Sequence, residues 1–177
     1  MDLYKYHSKP ETLDRYADRD QIVPERVYEI AKSGKKLTQR QEDTLVKSPR
    51  YAFMCAFNVL KKPWPACETV IAKDAEYAFM YACYVLKKLF PAGEAAIAKS
   101  PLYAYLYAFH MIKNQFPKGE AAIAKDADYA YQYARDILKK SWPAGEAVIA
   151  KDAEYAYQYA RDVLKLSDKE AEQWGEK

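Results

Sequence analysis

Glycine is scarce, five residues in a chain of 177. With half of the residues apolar and 30% charged, that scarcity excludes a low-complexity or disordered chain and favours a helical one. Long hydrophobic runs are missing as well. No stretch approaches the roughly 20 apolar residues that cross a membrane, and the opening MDLYKYHSKPE lacks the apolar core of a signal peptide. Neither sign of charge dominates: 28 basic and 25 acidic residues leave +3, too balanced to point to a nucleic-acid or membrane partner. The three cysteines, Cys55, Cys67 and Cys83, are odd in number and show no CxxC spacing. That argues against disulfides and zinc and for reduced thiols in a cytosolic protein. There is no Gly-rich phosphate loop, nucleophile elbow, HExxH or isolated carboxylate pair. The expectation is a protein with no enzymatic activity, no cofactor, no metal and no membrane partner.

What the chain has in excess is tyrosine, 17 residues, and a repeat explains most of them. DADYAYQYARDILKKSWPAGEAVIAK begins at Asp126, and related stretches begin at Ser48, Asp74, Ser100 and Asp152, each 26 residues after the last without an insertion. A fixed period of this length is the signature of a stacked array of one supersecondary unit. Each copy opens on Ser or Asp, good N-cap residues, followed by Pro or Ala at the first helical position. Counting the cap as zero, Tyr129, Ala130, Tyr133, Ala134, Ile137 and Leu138 form one apolar stripe of a helix that ends near a Lys-Lys pair. A shorter helix follows, PAGEAVIAK, expected to bury Val148, Ile149 and Ala150. The aromatic before its proline (Trp64, Phe90, Phe116, Trp142) should pack over the joint between the helices.

The fold expected is all-α, a short right-handed α-solenoid of about five two-helix repeats: 48–73, 74–99, 100–125, 126–151 and 152–177. Residues 1–47 would form an N-terminal cap. Within it, Ser8-Lys9-Pro10-Glu11 has the form of a capping box before a helix through Leu13, Tyr16 and Ala17. Residues 23–47 read as a degenerate first repeat, with Gly34 ending one helix in the left-handed conformation and Thr38 capping the next. The last copy, ending EAEQWGEK, has Asp168-Lys169 in place of aromatic-Pro and reads as a polar cap.

The phrase [SD]-[PA]-x-Y-A-[YF]-x-Y-A…[VI]-[LI]-K-K…[WF]-P-A-G-E…I-A-K resembles a short α-helical repeat of tailed bacteriophages and other large DNA viruses, over Ser48 to Lys165. In size and plan it is similar to the leucine-rich-repeat-variant α-solenoids. The resemblance implies a phage origin, the cytoplasm of an infected bacterial host, and a non-enzymatic role such as inhibiting a host defence protein. It carries over no binding residues.

The copies differ in one informative way. Positions 2, 6, 9 and 13 lie opposite the stripe at 100° per residue. The fourth and fifth copies carry Asp128, Gln132, Arg135, Lys139 and Glu154, Gln158, Arg161, Lys165 there, an ordinary solvated face. The first three copies put apolar residues at these and the flanking positions: Met54 and Phe57; Met80, Cys83 and Tyr84; Leu102, Leu106 and Phe109, with His110 beside it. Contiguous apolar surface marks a protein-binding site, a self-association surface, or a face covered by residues 1–22. A host or phage protein is the leading partner. The alternative is nucleic acid or nucleotide, held by a lysine row (Lys61, Lys87, Lys113, Lys139) and by tyrosines at the stripe's edge (Tyr105, Tyr131, Tyr157), where a phenol could be half exposed. A self-assembling structural protein is a third reading.

Overall fold

The computed structural model describes residues 22–176, and among them there is no strand. The helix expected through Leu13 and the covering role expected of the N-terminal segment lie before Ile22, outside the described residues. The chain forms two compact units, one reaching Ile71 and the other starting at Ala72.

The first unit contains α1 (Pro24–Lys32), α2 (Gln39–Leu45), α3 (Pro49–Met54, continued as a π-helix over Cys55–Leu60) and α4 (Pro65–Ile71). Gly34 takes φ +80° at the end of α1, a conformation that costs glycine nothing. Thr38 caps α2: its hydroxyl accepts from the Gln41 N–H at 3.3 Å, and the Gln41 side chain accepts from the Thr38 N–H at 2.9 Å. Val27, Tyr28, Ala31, Leu45 and Cys55 form the core, with Met54, Val59 and Trp64 packed against it.

The second unit contains α5 (Ala75–Met80), α6 (Glu94–Ile97, entered through a 3₁₀ turn Pro91–Gly93), α7 (Pro101–Tyr107), α8 (Pro117–Ile123), α9 (Ala127–Gln132), α10 (Pro143–Ile149), α11 (Ala153–Asp162) and α12 (Asp168–Glu172, followed by a 3₁₀ turn Trp174–Glu176). The long helices α5, α7 and α9 also continue as π-helices, over Tyr81–Leu86, Ala108–Ile112 and Tyr133–Leu138. Each long helix packs on the short helix that follows it and on the next long helix. Asp74, Ser100, Asp126 and Asp152 accept from the backbone N–H three residues on, as their cap positions require. Ser48 stands at the same place but makes no side-chain cap bond.

The first four copies end their long helix on a left-handed lysine, Lys61, Lys87, Lys113 and Lys139, with φ between 51° and 55°, and Lys165, just beyond the end of α11, is left-handed as well at 63°. The wide π turn brings two N–H groups onto one carbonyl, as where Lys61 and Lys62 both donate to the Ala56 oxygen. This satisfies helix-end groups in the manner of a Schellman cap, one residue wider.

The core repeats with the sequence. Tyr81, Tyr107, Tyr133 and Tyr159 are wholly buried, as are Ile71, Ile97, Ile123 and Ile149 of the short helices. Val148 and Ala150 are only half-buried, so each short helix is anchored mainly by its isoleucine. In the second unit the aromatics before proline lie on the buried tyrosines: Phe90 on Tyr81 at 5.4 Å, Phe116 on Tyr107 at 5.5 Å, Trp142 on Tyr133 at 5.2 Å. The glycine three residues later makes this possible. A Cβ at Gly93, Gly119 or Gly145 would stand 2.7, 2.6 or 2.4 Å from the nearest ring carbon of Phe90, Phe116 or Trp142. The last copy lacks aromatic-Pro, yet Trp174 returns to lie 5.1 Å from Tyr159, so the end of the unit is closed by a ring as well as by charge.

Candidate outer-face interaction site

The buried tyrosines do more than fill space. The Tyr133 hydroxyl accepts from the Phe116 N–H at 2.8 Å and donates to Glu120 at 2.9 Å. Tyr159 repeats this with the Trp142 N–H (2.7 Å) and Glu146 (2.8 Å), and Tyr107 accepts from the Phe90 N–H at 2.9 Å. A linker N–H that cannot reach water is thereby satisfied by the next copy. Burial pushes the Tyr133 phenol well above its ordinary range; the Phe116 N–H opposes the shift and the Glu120 carboxylate adds to it. Glu120 and Glu146 thus serve the core.

The edge tyrosines differ from expectation. Tyr105 and Tyr131 are 6% and 3% exposed, so neither offers a face on which a base could stack. A long helix has neighbours on both sides, so its buried arc is wider than one stripe. Position 5 of one copy packs on position 3 of the next: Phe79 on Tyr103 (5.9 Å), Tyr105 on Tyr129 (6.1 Å), Tyr131 on Tyr155 (6.1 Å). Only Tyr157, in the last copy, stays exposed, and its hydroxyl donates to Asp168 at 3.2 Å. The lysines Lys61, Lys87, Lys113 and Lys139 are exposed helix ends.

The polar face of the later copies is a hydrogen-bonded ladder rather than a plain solvated surface. Tyr105 donates to Asp136 at 2.9 Å, and Tyr131 donates to Asp162. Arg135 grips Asp136 at 2.7 and 2.8 Å, donates to the Tyr131 hydroxyl at 2.9 Å and lies over its ring. The Arg135 guanidinium first, and the Tyr105 hydroxyl after it, hold the Asp136 carboxyl below the usual carboxylate range, against the effect of burial. In the first unit Asn58 donates to the Tyr28 hydroxyl at 3.0 Å across the same 30–31-residue interval.

Where position 5 is phenylalanine the rung has no hydroxyl, and the next copy's position 10 is aromatic. The ring of Phe79 lies 6.4 Å from that of His110. His110 meets Phe109 edge-on at 5.0 Å, and Phe109 lies 5.8 Å from Tyr105. Tyr84 and Phe109 are 53% and 43% exposed, on the neighbouring π turns of α5 and α7. Met80, Cys83, Leu102 and Leu106 of the same unit are half-buried, and His110 is exposed. In the first unit Phe57 is 44% exposed and stacked on Phe53 at 5.6 Å. Met54 is half-buried, with one side packed against that unit's core.

Among the described residues no His, Cys, Asp or Glu group has the makings of a metal site, and no helix is long and apolar enough to cross a membrane. Burial pushes the Cys55 and Cys67 thiols up to about 11 and about 12, far from the range of a nucleophilic thiolate. The Leu89 side chain, 43% exposed, adds to the apolar surface of the second unit and lies outside the face predicted from the helical wheel, because it stands in the linker beyond the long helix. Comparisons with protein-family models, with curated proteins and with solved structures find no match to this chain.

Proposed function

We propose that the chain is a short α-solenoid of 26-residue two-helix repeats that acts as a non-enzymatic protein-binding module. The observation that carries this reading is the pair Tyr84 and Phe109, large aromatic residues left exposed on adjacent turns of the second unit. At the matching places in the next copy stand Arg135 and Asp136, bonded to tyrosines. Exposed aromatics that cluster are the residue types on which interface energy concentrates. Met80, Cys83, Leu102, Leu106 and His110 would form the surround. The nucleic-acid reading is weakened by the burial of Tyr105 and Tyr131. On the resemblance to phage repeats alone, the partner is a host or phage protein, with a host defence protein as one such target.

Tyr84→Asp combined with Phe109→Asp tests the reading at two side chains that are half exposed, with circular dichroism to check that the fold survives. A partner recovered with the wild-type chain should bind the double variant at least about tenfold more weakly, with the melting temperature unchanged. Undiminished binding by a folded double variant refutes the surface. A complex that dissolves steeply with salt supports nucleic acid instead, and a stable homodimer broken by the same substitutions supports self-assembly.

A further inference from the structure

The first unit carries a cleft of about 320 Å³ between the end of α1, the α1–α2 linker and the π turn of α3. Ala31, Leu37, Val59 and Leu60 wall it, Cys55 and Trp64 lie along it, and Glu42 stands at its rim. The repeat explains its shape. Cys55 lies 26 residues before Tyr81, Trp64 the same distance before Phe90, and Glu42 the same distance before Glu68. Cys55 therefore holds the place where later copies keep a wholly buried tyrosine. In those copies the tyrosine ring lies on its own copy's linker aromatic, and its hydroxyl reaches the preceding copy's glutamate. Tyr133 does this with Trp142 and Glu120, and Tyr159 with Trp174 and Glu146. Shifted to the first unit, the same construction runs from Trp64 to Glu42 through the cleft.

Two further substitutions keep the space open. Cys67 replaces the glycine found at 93, 119 and 145, where a Cβ would collide with the tucked aromatic. Trp64 accordingly stays half-buried, whereas Trp142 is 7% exposed. Thr38 replaces the preceding aromatic, and its N–H is taken by Gln41 at 2.9 Å. The Glu42 carboxylate has no side-chain partner among the described residues.

We infer that this cleft is a binding site for a phenol ring, and that its occupant is a tyrosine side chain presented by a partner protein. The cleft offers apolar walls and an indole for the ring and a free carboxylate for the hydroxyl, as Tyr133 and Tyr159 have in this same chain, but without the linker N–H, which Gln41 takes here. Its volume is at the small end of the range for ligand sites, which suits one ring and not a nucleotide. The inference stands apart from the outer-face reading, because it concerns other residues and another ligand.

The test uses the full chain, N-acetyltyrosinamide as probe and N-acetylphenylalaninamide as its comparison, followed by NMR. The tyrosine probe should saturably shift the Gly34 and Leu37 amides and the Trp64 indole N–H. The phenylalanine probe should bind about tenfold more weakly for want of the hydrogen bond to a charged acceptor. Glu42→Ala, at an exposed position that leaves the core untouched, should bring the tyrosine probe down to the level of the phenylalanine probe. Cys55→Tyr should fill the cleft, abolish the shifts and raise the melting temperature. The inference is overturned by an absence of localised shifts, by equal affinity for the two probes, or by a Glu42→Ala variant that still prefers tyrosine. It is also overturned if the probe binds only after Tyr4, Tyr6 and Tyr16 are replaced by serine, since the cleft then belongs to the chain's own tyrosines.

Discussion

Tyr133→Phe removes one oxygen from the interior and leaves everything else in place. The ring stays on Trp142, so packing is preserved and the whole effect is polar. Without the hydroxyl the Phe116 N–H, in a residue only 3% exposed, loses its acceptor. An unsatisfied buried donor costs about 1–3 kcal/mol. The second bond, to Glu120, costs less, because that carboxylate is half-buried and can turn to water. The sum is about 2–3 kcal/mol, which for a chain of this size lowers Tm by about 5–10 °C. Urea titration followed by circular dichroism measures it, with an unchanged m-value showing that the same surface is exposed on unfolding. Tyr129→Phe is the control. Its hydroxyl has no hydrogen bond among the described residues, and the change should stay within about 0.5 kcal/mol. Equal effects at the two positions, or a loss at Tyr133 below about 0.5 kcal/mol, would refute the reasoning that the buried tyrosines bond one copy to the next.

The same phenols make stability sensitive to alkali. Burial raises the pKa values of Tyr107, Tyr133 and Tyr159 above the ordinary tyrosine value. A group whose folded pKa is raised stabilises fully below its unfolded value, so melting temperatures should hold up to about pH 10 and fall as pH rises further; a flat profile there would contradict it. Lys113→Gly relieves the left-handed backbone at φ 55°. That conformation costs an ordinary residue about 1–2 kcal/mol, partly offset by the greater freedom of glycine in the unfolded chain, so thermal melting should show a gain of about 0.5–1 kcal/mol. Gly119→Ala should act in reverse, since its Cβ would stand 2.6 Å from the Phe116 ring and 2.7 Å from the Ala104 Cβ. A loss of about 1–3 kcal/mol in urea titration is expected as that ring is displaced.

The outer face was partly legible in the sequence. Aligning the copies was enough to mark Tyr84, Phe109 and His110 as departures from a polar pattern, and the structure leaves all three exposed. Met54, Met80 and Leu106 at position 6 are only half-buried, because that position lies nearer the helices packed on either side. A cysteine on an apolar stripe reads as core, and Cys55 is core, but nothing in the sequence marks the cleft beside it, which is made by the α1–α2 linker.

By itself the sequence determined the all-helical character, the 26-residue spacing of the elements, and the N-caps at Thr38, Asp74, Ser100, Asp126 and Asp152. These follow from side chains acting within one turn of their own backbone, where spacing along the chain is spacing in space. Only the tertiary structure decided that position 5 is buried, that the long helices end in π turns on left-handed lysines, and that Trp174 closes over Tyr159. Each of those depends on a neighbouring copy or a returning chain end. One helical wheel records the face a helix shows to one partner, whereas these helices are packed from two sides.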